Sequence, residues 1–74
     1  MSGLVLYGTT YCHLCEDAEA VLNEAGVSAA YIDIADDDGL IERYGTLIPV
    51  LRRSDTGAEL GWPFDAGMVM RFLV

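Results

Sequence analysis

Blocks of apolar and polar residues along the first half of the chain predict a strand, a helix and a second strand. The continuous apolar run Leu4–Tyr7 is typical of a strand that is covered on both faces. Apolar residues then recur at helical spacing over 13–25, and Gly26 follows as a helix stop. Residues 27–34 predict the next strand, with Asp33 at its end facing solvent. These elements form a right-handed unit with parallel strands.

The middle of the chain predicts a short helix and a third strand. One of Asp36–Asp38 caps the helix, and Gly45 ends it. Pro49 opens the third strand, because proline cannot donate to a sheet ladder. On local sequence alone, the Ile48–Pro49 peptide bond is expected to have the common trans form.

The last part of the chain predicts a hairpin and a closing helix. Residues 52–57 form the turn, and residues 58–60 form the return strand. Asp65 is a suitable N-cap for the last helix. The apolar face of that helix consists of Met68, Val69, Phe72 and Leu73.

Composition and charge narrow the class of protein. The chain has 74 residues, no lysine and a formal net charge of −8, which indicates a single domain over 1–74 with an acidic surface. Nucleic acids and anionic membranes are therefore poor partners. Residues 1–3 carry no basic start of a secretory signal, and no apolar segment reaches membrane-spanning length. We expect a monomer in the cytoplasm, where thiols stay reduced.

Candidate chemistry concentrates in one pair of cysteines. Cys12 and Cys15 are separated by two residues and lie where the first strand gives way to the helix. A Cys-x-x-Cys pair in this context indicates a redox motif of the thioredoxin type. Free N–H groups at a helix start favour a thiolate on the first cysteine, and the second can attack a mixed disulfide formed there. Cys12 is the predicted nucleophile, and Cys15 is the predicted resolving thiol.

The residues next to the cysteine pair have opposing effects on the stability of a thiolate there. His13 adds a donor that favours the thiolate, whereas Glu16 and Asp17 disfavour it. Thr10 or Tyr11 is expected near the N-cap of the helix. Tyr11 is either an aromatic contact for a partner or an ordinary exposed loop residue.

Two other classes of function stay open at this point. The first is a metal or iron–sulfur module, for example a dimer bridged through Cys12, although a structural zinc site usually needs two separated pairs of ligands. The second is a binding adaptor in which Trp62 and Phe64 form a contact patch, or else cover the core. Haem attachment is excluded because Glu16 follows Cys15, where that motif requires histidine.

The whole chain resembles the glutaredoxin branch of the thioredoxin superfamily. The resemblance rests on the element order β-α-β-α-β-β-α, on the cysteine pair at the first strand–helix junction, and on Ile48-Pro49 before the third strand. The stretches 7–18 and 61–65 look closest to the small bacterial glutaredoxin-like proteins.

This resemblance implies an α/β (α+β) fold of three layers, with a four-stranded mixed sheet and helices on both faces. It also implies that Cys12 is the nucleophile and that Cys15 resolves the mixed disulfide. Pro49 would be cis and packed beside the disulfide, and the backbone of Ile48 would pair with the substrate. The predicted supporting residues are Tyr11, His13, Ile48 and Pro49. The predicted substrate or partner surface consists of Thr10, Leu14, Trp62 and Asp65.

The sequence departs from glutathione-using glutaredoxins at the substrate side. Thr9 and Thr10 stand where those proteins usually carry a basic residue, and Trp62 follows Gly61 where they usually have a second glycine. Arg52 and Arg53 could substitute only if they lay near Cys12. We expect no bound cofactor or metal. The substrate is a disulfide in a protein or small molecule, and the reductant is glutathione or a thioredoxin-type reductase.

Overall fold

The structure, a computed structural model, describes residues 3–74. Met1 and Ser2, on which the expectation of no secretory signal partly rests, lie outside the described residues. The strands are β1 (Leu4–Gly8), β2 (Ala30–Asp33), β3 (Val50–Arg53) and β4 (Glu59–Gly61). The helices are α1 (His13–Ala25), α2 (Asp38–Tyr44) and α3 (Ala66–Phe72), with a 3₁₀ turn at Ile34–Asp36.

The four strands form one mixed sheet in the order β2-β1-β3-β4. β1 pairs in parallel with β2 and antiparallel with β3, and β3 pairs antiparallel with β4. The predicted fold class, a thioredoxin-like four-stranded mixed sheet with three helices, is confirmed.

Two apolar clusters on opposite faces of the sheet form the core. Neighbouring strand residues alternate between them, because successive side chains of a strand point to opposite faces. Leu6 and Leu51 pack with the residues of α1 and α3, including Val69. Tyr7 and Val50 pack with Ile34 and with Tyr44 of α2. The apolar run of β1 is continuous because both of its faces are covered.

The second strand is shorter than the sequence predicts. It begins at Ala30 rather than Val27, because the N–H of Val27 still donates to the carbonyl of Leu22 at 2.9 Å as part of the α1 C-terminal cap. Gly26 adopts the left-handed conformation of such a cap, with φ 72°. Residues 27–29 therefore connect the helix to the strand instead of extending the sheet.

The hairpin is also shifted by a short distance along the chain. Arg52 and Arg53 belong to β3 rather than to the turn, and β4 covers residues 59–61 rather than 58–60. The turn closes at Gly57, which has φ 76° and donates to the carbonyl of Arg53 at 2.8 Å. The predicted caps of the last two helices are confirmed: Asp37 is the N-cap of α2, and Asp65 is the N-cap of α3.

Candidate active site

One end of the sheet collects most of the residues that the sequence singled out. Gly8 ends β1 opposite Asp33 of β2, and Pro49 directly precedes Val50, which pairs with Tyr7 beside Gly8. The N–H of Trp62, just after β4, donates to the carbonyl of Pro49 at 3.2 Å. The Cys12 loop begins at this edge, directly after Gly8.

Cys12 is itself the N-cap of α1, a position that the sequence placed near Thr10 or Tyr11. Its sulfur accepts a hydrogen bond from the N–H of Cys15 at 3.1 Å, which satisfies one of the free donors at the helix start. Cys12 and Cys15 are joined by a disulfide, with Cα atoms 5.2 Å apart. The donor that holds the Cys12 sulfur is therefore in place to stabilise a thiolate there after reduction.

The two sulfurs differ in how accessible they are. Cys12 is half-buried, whereas Cys15 is only 1% exposed and lies under the first turn of the helix. An incoming disulfide can therefore reach Cys12 but not Cys15. The division of the pair into a nucleophile and a resolving thiol stays a prediction.

The loop before Cys12 is held to the end of β2. The Thr10 hydroxyl donates to the Asp33 carboxylate at 3.1 Å, and the Tyr31 hydroxyl donates to the carbonyl of Thr9 at 3.1 Å. Between these anchors and the helix, Tyr11 adopts a left-handed φ of 62° and is 98% exposed. Such a conformation is uncommon for an aromatic residue and costs about 1–3 kcal/mol. The two hydrogen bonds to β2 therefore stabilise a strained turn.

Asp33 and Tyr31 have shifted acidities. The N–H of Ala35, which donates to Asp33 at 2.9 Å, lowers the pKa of that carboxyl, and the hydroxyls of Thr9 and Thr10 act in the same direction. Asp33 ends β2 at a partly exposed position, as predicted, and in addition anchors the cysteine loop through its hydrogen bond with Thr10. Desolvation raises the pKa of Tyr31, with further contributions from nearby carboxylates.

The Ile48–Pro49 peptide bond is cis, so the isomer expected from local sequence is wrong. The Trp62–Pro63 bond is also cis. Pro49 is fully buried, and the N–H of Ile48 donates to the carbonyl of Tyr44 at 3.1 Å. Within residues 3–74 the carbonyl of Ile48 has no such partner. Pairing of Ile48 with a substrate stays a prediction, and in this structure it would use that carbonyl.

The other predicted surface residues have mixed surroundings. His13 and Leu14 are exposed on the first turn of α1. Trp62 is partly buried and meets Phe64 edge to face, with ring centroids 5.0 Å apart. Phe64 belongs to the core, so it covers the interior instead of forming a contact patch. Asp65 accepts the N–H of Met68 at 2.8 Å as the cap of α3, and its role toward a partner stays a prediction.

Arg52 and Arg53 lie at the other end of the sheet. Arg53 pairs with Leu4 at the start of β1, whereas the cysteine loop follows the end of β1. At about 3.4 Å per residue, the four residues from Leu4 to Gly8 correspond to about 14 Å. Arg53 is also bound to Asp55 at 2.7 Å and to the carbonyl of Phe72 at 2.9 Å. Arg53 is therefore not placed to replace the missing basic residue before Cys12. The Arg52 side chain interacts with Tyr7 and Tyr44, on the face of the sheet that packs against α2.

Sequence reasoning missed two residues of the site, Gly8 and Tyr31. A Cβ at position 8 would lie 2.5 Å from the Tyr31 hydroxyl oxygen and 3.0 Å from the Cys15 sulfur. The sequence indicates that Gly8 ends the first apolar run and begins the cysteine loop and that Tyr31 belongs to the second strand, but it assigns neither a role in the site. Their proximity depends on the parallel pairing of β1 with β2, and no local pattern in the sequence reports it.

The family model of the glutaredoxin-like domain (DUF836) matches residues 3–73. The chain belongs to this family. A glutaredoxin-like chain with a Cys12–Cys15 pair at a helix N-terminus has the arrangement that fits redox activity. No curated protein matches the chain.

Solved structures share the fold of this chain over most of its length. XcR50 from X. campestris is 42% identical, with a TM-score of 0.87 over 95% of this chain and 93% of that one. Protein Ne2328 from Nitrosomonas europaea is 27% identical, with a TM-score of 0.74 over 93% of this chain and 87% of that one. A buckwheat glutaredoxin solved as a glutathione complex is 19% identical, with a TM-score of 0.61 over 93% of this chain and 66% of that one. This last likeness shows the shared fold.

Two further observations concern metal binding and membrane-spanning helices. Across residues 3–74 there is no cluster of three or more His, Cys, Asp or Glu side chains placed to hold a metal ion. No helix in that range has the length and apolar character needed to cross a membrane.

Proposed function

We propose that this glutaredoxin-like protein is a dithiol–disulfide oxidoreductase that reduces substrate disulfides through Cys12 and Cys15. The observation that carries the proposal is the asymmetry of the pair at the start of α1. The Cys12 sulfur is reachable and accepts the N–H of Cys15 at 3.1 Å, whereas the Cys15 sulfur is buried. A nucleophile needs a stabilised thiolate that the substrate can reach, whereas the thiolate of a resolving cysteine needs to reach only the first sulfur and can be buried.

The first step is attack by the Cys12 thiolate on a substrate disulfide. A sulfur–sulfur bond forms between Cys12 and the substrate, the substrate disulfide breaks, and one substrate thiolate leaves. The helix N–H groups stabilise the Cys12 thiolate before the attack.

In the second step, the Cys15 thiolate attacks the Cys12 sulfur of the mixed disulfide. The Cys12–Cys15 bond forms, and the second substrate sulfur leaves as a thiolate that takes up a proton. Two electrons have then passed from the protein to the substrate. A thiol reductant, either two glutathione molecules or a thioredoxin-type reductase, returns the pair to the dithiol in a reducing compartment such as the cytoplasm.

The surroundings of the pair favour a disulfide in an apolar protein segment over a free anionic one. Tyr11, Leu14 and Leu47 are exposed large hydrophobic residues on the two segments that carry the site. Glutathione is itself an anion, and the arginines of β3 lie at the far end of the sheet. Glutathione therefore enters this proposal as a reductant in the second half of the cycle, without a dedicated cationic site.

The test is to equilibrate the protein in glutathione buffers of graded redox poise, quench with acid and measure its mass. We expect the loss of two hydrogen masses at an intermediate poise, from a reversible Cys12–Cys15 disulfide. A protein whose mass never changes across the series would rule the proposal out. A stable glutathione adduct in place of the disulfide would replace it with a one-cysteine mechanism.

Two serine variants separate the roles of the cysteines. Cys12→Ser should lower disulfide reductase activity to the uncatalysed background, because no accessible thiolate remains. Cys15→Ser should still attack but should accumulate as a mixed disulfide that mass spectrometry detects. If Cys15→Ser turned over a protein disulfide at the native rate without glutathione, Cys15 would not be the resolving thiol.

A further inference from the structure

The absence of a side chain at Gly8 brings the Tyr31 hydroxyl and the Cys15 sulfur to the same small space. A Cβ at position 8 would be 2.5 Å from the hydroxyl oxygen and 3.0 Å from the sulfur. These two atoms therefore lie no farther apart than the sum of those distances. Because Leu6, which pairs with Tyr31, packs against α1, both atoms approach Gly8 on the α1 face of the sheet.

The Tyr31 hydroxyl is already oriented at this edge of the sheet. It donates to the carbonyl of Thr9 at 3.1 Å, and Thr9 follows Gly8 directly. Tyr31 is 42% exposed, whereas Cys15 is only 1% exposed. The hydroxyl is therefore a polar group placed between solvent and a buried thiol.

We propose that in the reduced protein the Tyr31 hydroxyl donates a hydrogen bond to the Cys15 sulfur and stabilises the thiolate that resolves the mixed disulfide. The inference rests on the proposed function, since a resolving thiolate is needed only in a dithiol cycle. In the disulfide form the same hydroxyl donates to Thr9. In this form the hydroxyl and the Cys15 sulfur share no hydrogen bond. Reduction makes the sulfur a stronger acceptor, and a small movement of the partly exposed Tyr31 side chain, with rotation of its hydroxyl hydrogen, brings the donor to it.

The chemical need arises from burial and from the charges around Cys15. Burial disfavours a thiolate, so a resolving thiol with no donor would hold its proton too strongly. The charged groups that act on Tyr31 are all acidic: Glu16 and Glu19 of α1, and Asp33 of β2. These carboxylates also disfavour a nearby thiolate, which leaves a neutral donor as the suitable partner.

The acidity of Tyr31 fits this role. Desolvation, followed by the effects of Glu19, Asp33 and Glu16, raises the pKa of its hydroxyl above the ordinary value of 10.0. The hydroxyl therefore keeps its hydrogen throughout the pH range in which thiols usually ionise. In the resolution step the Tyr31 hydroxyl is neither oxidised nor reduced, and it keeps its proton. The Cys15 proton passes to solvent or to the leaving thiolate.

The direct test measures the acidity of Cys15 without any substrate. In a Cys12→Ser background the only thiol is Cys15, and the ultraviolet absorbance of its thiolate gives its pKa. We expect Tyr31→Phe to raise this pKa by about one unit, a tenfold loss of thiolate below the midpoint. Tyr7→Phe is the matched control, because Tyr7 loses the same oxygen on the opposite face of the sheet and should leave the Cys15 pKa unchanged. An unchanged pKa in Tyr31→Phe would overturn the inference.

A kinetic test on the protein with both cysteines identifies the affected step. Tyr31→Phe should slow release of the reduced substrate from the mixed disulfide by about tenfold at neutral pH, and raising the pH should restore the rate. The initial attack by Cys12 should be unchanged. Equal slowing of both steps at every pH would indicate a merely structural role and overturn the inference. Failure of the proposed function would appear differently, as no turnover in the unsubstituted protein while the Cys15 pKa still responded to Tyr31.

Discussion

At the scale of single residues, the site depends on the absence of a side chain at Gly8. Gly8 has no positive φ, so its conformation alone does not require glycine. Its importance is steric, because any Cβ there would enter the space shared by the Tyr31 hydroxyl and the Cys15 sulfur. The tyrosine can move aside, but Cys15 is fixed in α1 and in the disulfide. The strain of a larger residue would therefore fall on Tyr31 and its bond to Thr9.

Gly8→Ala should destabilise the protein and weaken the contact between Tyr31 and Cys15. Overpacking of a buried position typically costs about 1–3 kcal/mol, and urea unfolding measures that loss. Loss of the Tyr31 donor should raise the Cys15 pKa, which is the effect that we also expect of Tyr31→Phe. Gly61→Ala is the control, because a Cβ at position 61, at the same end of the sheet, meets no atom within 4 Å. Equal stability of Gly8→Ala and Gly61→Ala would contradict this account.

At the scale of elements, local signals predicted α1 well and β2 poorly. The bounds of α1 follow from apolar spacing and from Gly26, which are both local in the sequence. The apolar residues Val27 and Ala29 look like strand positions, but they pack against the core while leaving the helix. Hydrophobicity reports burial in both cases and cannot separate a strand from a buried connection. The N-cap of α1 is Cys12 itself, because its sulfur accepts the helix N–H that a side-chain oxygen usually accepts.

The cap of α3 provides a test of two roles for Asp65. Its carboxylate accepts the N–H of Met68, so Asp65→Ala should cost about 1 kcal/mol of unfolding free energy, whereas Asp65→Asn should retain most of the cap. Urea unfolding measures both variants. If the predicted partner role is also real, Asp65→Asn should change the KM for a protein disulfide while stability stays near that of the native protein. Equal stability of the Ala and Asn variants would show that the cap contributes little.

At the scale of the whole molecule, topology determines which residues share the site. The pair Cys12 and Cys15 and the Ile48–Pro49 bond were identified from motifs, and the antiparallel pairing of β1 with β3 brings them to one edge. Tyr31 and Asp33 reach the same edge through the parallel pairing of β2 with β1; the sequence predicts that these strands are parallel but not which of their residues lie side by side. Two arginines are engaged by acidic side chains. Arg53 is bound to Asp55, and Arg43 lies 3.8 Å from Glu59.

This distribution of charge predicts how the rate depends on salt. The chain carries a formal net charge of −8, so an anionic disulfide is repelled from the site and a cationic one is attracted. Screening shortens from about 30 Å at 0.01 M salt to about 8 Å at 0.15 M. Over that range the second-order rate constant should rise about threefold for glutathione disulfide and fall about threefold for cystamine, a dicationic disulfide, in stopped-flow measurements.

Two controls test whether the salt effect comes from the overall acidic field. Hydroxyethyl disulfide is uncharged and should react at a rate that salt does not change. Arg52→Gln should leave the glutathione slope nearly unaltered, because Arg52 pairs with Val5 toward the start of β1, away from the cysteine loop. If glutathione disulfide instead reacted more slowly as salt increased, and Arg52→Gln abolished that dependence, Arg52 would be recruiting the anion. The acidic surface would then not govern access to Cys12.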